Sequence, residues 1–198
     1  MFRRVIAFVT IYAGIGVAFS TKAANIVTNP GFETGDFTGW TLSGTDSSTS
    51  DNGIYYGVDS QDAHSGAFGA YFGPVGGILD LTQTLTTVPG TTYAVTFWLS
   101  ESPDTPAPYV NSFVASLGGI TLASLSNTNG ADYTEYTATA TVSSATSILG
   151  FGFRDDTGFF SLDDISVSPG TSVVTPEPAT SMFVMSALAL LVTVRRKK

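Results

Sequence analysis

The sequence contains no cysteine and only one histidine, His64. Without cysteine, the chain has no thiol nucleophile, no disulfide and no cysteine-ligated zinc. A metal site built from several histidines is excluded as well, and a Ser-His-Asp triad has one candidate at most. A domain of this composition must be stabilised by its apolar core or by a bound metal.

Basic residues are also scarce in the middle of the chain. Of eight lysines and arginines, Arg154 is the only one between Lys22 and Arg195, whereas all sixteen acidic residues lie between Glu33 and Glu177. The middle is therefore more acidic than the formal net charge of −8 indicates. Such a surface repels nucleic acid, which excludes a nucleic acid partner. Its carboxylates suit a hard cation such as calcium.

The N-terminus has the three parts of a secretory signal. Two arginines at positions 3 and 4 precede an apolar run from Val5 to Phe19, and small residues follow up to Ala24. This pattern predicts a signal peptide over residues 1–24, with a membrane anchor that is not cleaved as the alternative.

The C-terminus combines a proline-rich motif with a short apolar segment. Pro176-Glu177-Pro178 precedes thirteen apolar or small residues, Met182 to Val194, and four basic residues close the chain. As a helix, such a segment spans about 20 Å, against about 30 Å for a bilayer core. The segment is thus a marginal membrane span whose basic end should stay cytoplasmic.

This tail resembles the PEP-CTERM sorting signal, in which Pro176, Glu177 and Pro178 form the sorting motif. The resemblance implies a linker over residues 171–178 and a sorting helix with a basic tail over 179–198. It further implies recognition and cleavage by an exosortase in the inner membrane of a Gram-negative bacterium, with delivery to the cell surface or the medium. The alternative is a proline-rich linker before an ordinary anchor.

Residues 25–170 are rich in Gly, Thr, Ser and aromatic side chains, a composition that disfavours helices. Short runs alternate between apolar and polar residues and are separated by turn residues, which is typical of strands with one buried face. We therefore predict an all-β domain, an antiparallel β-sandwich of the jelly-roll type, flanked by the signal helix and a short C-terminal transmembrane helix. The runs cover residues 92–100, 110–117, 136–142, 147–154 and 159–167.

The same domain resembles the galactose-binding-like jelly rolls found among carbohydrate-binding modules. Five landmarks occur in the order seen in those modules, although Pro30 replaces a more common glycine and removes one backbone donor. The landmarks are Asn29-Pro30-Gly31-Phe32-Glu33, Gly39-Trp40, His64-Ser65-Gly66, Val88-Pro89-Gly90-Thr91-Thr92-Tyr93 and Leu162-Asp163-Asp164-Ile165-Ser166-Val167.

This second resemblance implies a structural calcium ion where the first and last strands meet, held by Glu33 and by Asp163 or Asp164. Neighbouring residues in a strand point to opposite faces, and residues two positions apart share a face. Asp163 therefore shares the face of Ile165. We therefore expect Asp163 to face the interior, where a carboxylate needs a cation or donors, and Asp164 to face outward. Backbone oxygens near Ser65 would complete the shell; the alternative is two solvated acids at strand ends.

Trp98 is the main candidate for sugar binding, since it falls on the face opposite Phe97. An aromatic ring provides apolar area for stacking against a sugar. Tyr55, Tyr56 and Tyr109 are expected to line the same groove. The alternative is that Trp98 packs beneath a loop, and Trp40 is expected in the core.

Catalysis has weaker support in the sequence. His64 and Ser65 are neighbours, which favours a turn over a catalytic pair, and no Gly-x-Ser-x-Gly elbow is present. The aspartate pairs at 155–156 and 163–164 are the only sign of a glycoside hydrolase. The leading hypothesis is a non-catalytic, exported protein that binds or associates with polysaccharide. The alternatives are a structural or adhesive matrix protein and, third, a polysaccharide-processing enzyme.

Overall fold

The computed structural model describes residues 23–44, 55–103, 108 and 110–170. The predicted signal helix, Tyr109, the Pro-Glu-Pro motif and the C-terminal sorting helix lie outside these residues. Within the part of the chain that the structure describes, no helix is long and apolar enough to cross a membrane.

The described residues form a sandwich of two five-stranded antiparallel sheets. Sheet A has the order β1-β4-β9-β6-β7, and sheet B has the order β2-β3-β10-β5-β8. The strands are β1 (Thr41–Gly44), β2 (Tyr56–Asp59), β3 (Gly69–Phe72), β4 (Leu79–Thr86), β5 (Thr92–Glu101), β6 (Asn111–Leu117), β7 (Ile120–Ser126), β8 (Ala131–Thr141), β9 (Thr146–Asp155) and β10 (Phe160–Pro169). The predicted all-β sandwich is confirmed.

Phenylalanine side chains fill the space between the sheets. Phe72 of sheet B lies parallel to Phe153 of sheet A, with ring centroids 4.0 Å apart. Phe97 contacts both Phe113 and Phe151 across the same interface. All five rings are almost completely buried. Because each comes from an alternating position of its strand, the period-two pattern of the sequence directly produces this core.

The five strands that the alternation predicts are present as β5, β6, β8, β9 and β10. The sequence interpretation did not single out β1, β2 and β3, each of which has four residues and so offers too few alternations to detect. It also did not single out β4, whose inward positions include the polar Gln83. Gln83 is buried because it exchanges two hydrogen bonds with the backbone of Thr28.

Residues 23–40, which precede β1, form no strand but are hydrogen-bonded to the last strand, β10. The Asn25 side chain donates to the carbonyl of Ile165 and accepts from the amide of Val167. Trp40 donates from its indole Nε1 to the carbonyl of Asn29 and is 8% exposed. The expected place of Trp40 in the core is confirmed.

The expectation that Asp163 faces the sandwich interior is wrong. Phe160 and Leu162 point inward before a register irregularity in β10, and Ile165 points inward after it. Asp163 therefore points outward, on the same face as Trp98, with which it is paired. The alternation of inward and outward side chains shifts by one position because β10 has one extra residue here relative to β5, which is a β-bulge. Asp164, within this bulge, adopts a φ of 49°.

Candidate functional site

The loop between β2 and β3, residues 60–68, covers part of the outer face of sheet B. It is held there by side chains of β10 and by Glu33, which lie far from it in sequence. This β2–β3 loop brings together all three acids that the sequence analysis assigned to calcium.

Asp163 is the buried anchor of the β2–β3 loop. Its Oδ2 accepts hydrogen bonds from the amides of His64 (2.8 Å) and Ser65 (3.0 Å), and its Oδ1 accepts one from the amide of Asp164 (2.7 Å). The side chain is completely buried. Burial raises the pKa of this carboxyl, and the three amide donors offset that effect only in part. The donors are backbone groups, so the cost of burying this carboxylate is partly offset without a basic side chain.

Glu33 holds the far end of the same loop. Its carboxylate accepts hydrogen bonds from the amides of Ala67 (3.0 Å) and Phe68 (3.3 Å). Gly66 has a φ of +69°, and a Cβ at this position would collide with Glu33 Oε1. The landmark His-Ser-Gly therefore needs its glycine because the carboxylate passes directly against the backbone.

His64 joins the loop to the outer face of the sheet. Its imidazole lies flat on the Trp98 indole, with ring centroids 3.8 Å apart and an angle of 15°. Its Nδ1 is 2.7 Å from Asp164 Oδ2, and the other oxygen of Asp164 accepts from the Ser65 hydroxyl (2.8 Å). One face of Trp98 is thus covered by the loop. The assignment of Trp98 to sugar binding stays a prediction.

A groove of about 300 Å³ lies beside the loop, on the same outer face of sheet B. Tyr71 and Phe159 supply aromatic surface, and their rings meet edge to face, with centroids 5.9 Å apart. Tyr55 stacks on Phe159 at 6.3 Å and extends this aromatic surface. The groove is lined by Asp59, Asp62, Tyr71, Ser102, Phe159 and Ser161.

Asp62 is one of the polar residues that line this groove. Its Oδ1 accepts a hydrogen bond from the Ser161 hydroxyl, and its backbone carbonyl accepts one from the Tyr133 hydroxyl. Burial, and to a smaller extent the nearby charge of Asp59, raises the pKa of Asp62. Burial also raises the pKa of Tyr133 far above its ordinary value, so this phenol stays a donor.

A second groove, of about 230 Å³, crosses the outer face of sheet A. Its floor includes Gly150 and Gly152, which leave space in the middle of β9. Its apolar surface comes from the exposed aliphatic side chains of Ile78, Val114 and Ile148 rather than from exposed aromatic rings. This groove therefore lacks the flat surfaces suited to stacking on a sugar.

The predicted tyrosines do not gather around Trp98. Tyr55 contributes to the sheet B groove through Phe159, whereas Tyr56 packs against the core beside Phe37. Tyr109 lies outside the described residues. Among the residues that the structure describes, no group of three or more acidic or histidine side chains is placed to hold a metal.

The residues that form the sheet B groove were not found by sequence reasoning. Asp62 and Ser161 are separated by 99 positions, and neither belongs to a motif. Only the folded loop and the pairing of β10 with β3 bring them together. Gly66 was the one available signal in the sequence for the β2–β3 loop, since a glycine in a turn often marks a left-handed backbone conformation, and Gly66 has a φ of +69°.

The raised pKa of Asp62 predicts a pH effect on stability. In the folded state this carboxyl holds its proton more tightly than in the unfolded chain, where its pKa is about 3.9. Its contribution to stability is therefore complete below that pH and is lost as the pH rises through the raised pKa. Asp62→Asn stays neutral and can still accept from Ser161. We expect its free energy of unfolding to decline less than that of the wild type as the pH rises above about 4.

Urea denaturation across this pH range measures the effect. Asp132→Asn, at an exposed position of β8, is the matched control and should follow the wild-type profile. Parallel profiles for Asp62→Asn and the wild type would contradict the interpretation.

Solved structures with a similar fold include two carbohydrate-binding modules. TmCBM61, solved in complex with β-1,4-galactotriose, matches with a TM-score of 0.58 and 19% identity, over 75% of this chain and 100% of that chain. A family 16 carbohydrate-binding module matches with a TM-score of 0.52 and 19% identity, over 72% and 99% of the two chains. At these identities the similarity shows the fold alone.

The enzymatically active domain of bacteriophage CBA120 tailspike protein 4 is also similar, with a TM-score of 0.54 and 15% identity. The match covers 74% of this chain but only 21% of the tailspike chain. No protein-family model and no curated protein matches the sequence. The described part of the chain is therefore a β-sandwich of the kind seen in carbohydrate-binding modules.

Proposed function

We propose that this protein is a non-catalytic, exported surface protein that associates with polysaccharide through the sheet B groove. The observation that carries the proposal is the aromatic surface of Tyr71, Phe159 and Tyr55 beside hydrogen-bonding groups of Asp62 and Ser161. Sugars are bound in proteins by this combination of flat apolar area and polar partners for hydroxyl groups. The fold shared with carbohydrate-binding modules supports the same conclusion.

The carboxylates of this groove are poorly placed for the hydrolysis of a glycosidic bond. Its two carboxylates, Asp59 and Asp62, come from one turn, where Asp59 Oδ1 accepts hydrogen bonds from the amides of Gln61 and Asp62. A glycoside hydrolase needs an acid and a base placed on either side of the bond that is cleaved. Binding without cleavage is therefore the better-supported activity.

The groove proposal predicts a loss of binding when its aromatic surface is removed. The full-length protein, in mild detergent, is expected to bind a subset of a glycan array or extracellular matrix polysaccharide. Tyr71→Ala removes a stacking surface and should weaken that binding at least about tenfold, equivalent to about 1.4 kcal/mol.

The matched control acts on the other groove. Val114→Thr/Ile148→Thr changes the apolar wall on sheet A and should leave binding unchanged. If the sheet A variant loses glycan binding and Tyr71→Ala does not, the binding site lies on sheet A and the groove proposal is wrong. No binding by the wild type to any glycan would overturn the proposal and favour a structural or adhesive protein.

We further propose a structural calcium ion held by Glu33 and Asp163. All three acids approach Gly31, since a Cβ at this glycine would lie 3.3 Å from Asp163 Oδ1 and 3.7 Å from both Asp164 Oδ1 and Glu33 Cγ. The chain brings no lysine or arginine to these carboxylates among the described residues, because Arg154 is paired with Asp156. A cation would compensate their charge. Asp164 is bound to the side chains of His64 and Ser65, whereas Glu33 and Asp163 accept from backbone amides, and we assign the ion to these two.

Calcium should therefore raise the melting temperature of the full-length protein. The increase should grow with calcium concentration. At a hundredfold excess of calcium over Kd, the free energy of unfolding should be higher by about 2.7 kcal/mol. Asp163→Asn should abolish the increase, whereas Asp132→Asn should retain it. An unchanged midpoint between calcium and chelator would count against the site.

Surface delivery by an exosortase is the third part of the proposal, and it is supported by the Pro176-Glu177-Pro178 motif and the tail that follows it. In an exosortase-positive host, replacing all three motif residues by alanine is expected to block processing and leave a longer, membrane-associated product. Immunoblots of membrane and medium fractions report this result. Mutating Pro89 and Pro103 to alanine instead is the control. Equal processing of wild type and motif variant would exclude the sorting role.

A further inference from the structure

β8 is a long edge strand of sheet B. It lies at the end of sheet B and, among the described residues, is paired only with β5. It has eleven residues, whereas β2 at the opposite edge of the same sheet has four. A long edge presents a row of unpaired backbone donors and acceptors, to which another strand can pair.

The usual protection of an edge is missing from the second half of β8. From Tyr136 to Val142 there is no charged residue and no proline, and threonine alternates with alanine. Thr137, Thr139 and Thr141 are exposed. The register with β5 is regular from Thr134 to Thr141. By contrast, the edge strand β7 is interrupted by a register irregularity in its pairing with β6.

We propose that β8 pairs with β8 of a second copy of this protein, antiparallel and about a two-fold axis at Thr139. This residue is the middle one of the three exposed threonines, Thr137, Thr139 and Thr141, in the uncharged half of β8. An axis there places Thr137 of one copy opposite Thr141 of the other, so the outward threonine row continues across both copies. The two sheets B then form one ten-stranded sheet.

Charge explains why the second copy would dock at this place. The middle of the chain is strongly acidic, so two copies repel each other over most of their surfaces. The nearest acid along β8 is Glu135. With the axis at Thr139, the two Glu135 side chains lie eight strand positions apart, or about 27 Å, which is well beyond the Debye length of about 8 Å. The uncharged edge is thus a surface on which the copies approach without this repulsion.

The absence of native cysteine allows a direct test in the full-length protein, solubilised in mild detergent. Directly opposite residues of an antiparallel pair have Cβ atoms about 4.5–5.5 Å apart, close to disulfide geometry. Thr139→Cys should therefore form a disulfide-linked dimer under mild oxidation, at least about tenfold faster than a collisional control. That control is Ile148→Cys, which is 56% exposed on a central strand of sheet A. Equal rates for both cysteines would overturn the proposal.

Charge pairs in the Thr139→Cys background test the register. Thr137→Lys/Thr141→Lys places lysine opposite lysine across the axis and should suppress the cross-link, because like charges directly opposite destabilise strand pairing. Thr137→Lys/Thr141→Glu carries the same number of charges but places lysine opposite glutamate, and should retain it. Equal cross-linking by the two variants, with unchanged melting temperatures, would contradict the pairing. The outcome does not depend on sugar binding.

Discussion

The buried Asp163 carboxylate is the interaction on which the outer face of sheet B depends. It accepts three backbone amides, two of them from the β2–β3 loop, and so keeps that loop against the sheet. A buried charge is tolerated only when donors or a cation compensate it. Here the loop itself supplies the donors, so the position of the loop and the ionisation of Asp163 depend on each other.

The irregularity in β10 makes this arrangement possible. Without the extra residue, the alternation of Phe160 and Leu162 would continue and would turn Ile165 out of the core. The bulge lets Asp163 and Asp164 both reach the loop while the core pattern resumes at Ile165. Asp164 can then meet His64, whose ring in turn covers Trp98. The bulge in β10 therefore decides, through Asp164 and His64, that one face of Trp98 is covered.

The same loop also forms one wall of the groove proposed for polysaccharide. Asp62 lies in it, and Ser161 of β10 and Tyr133 of β8 both donate to Asp62. The packing of the β2–β3 loop on sheet B thus has three consequences. It forms one wall of the groove, brings the candidate calcium ligands together and covers Trp98. The edge of β8, which pairs with no described strand other than β5, lies on the other side of β5, where the threonine row follows simple alternation.

The sequence by itself determined the all-β class, five of the ten described strands and, except in β10, their buried faces, because alternation with period two is a local property of the chain. It also correctly placed Trp40 in the core. The direction of Asp163, the covering of Trp98 by His64 and the meeting of Asp62 with Ser161 were decided only by the tertiary structure. Each depends on a bulge or on contacts across about a hundred residues, and the alternation carries no information about either.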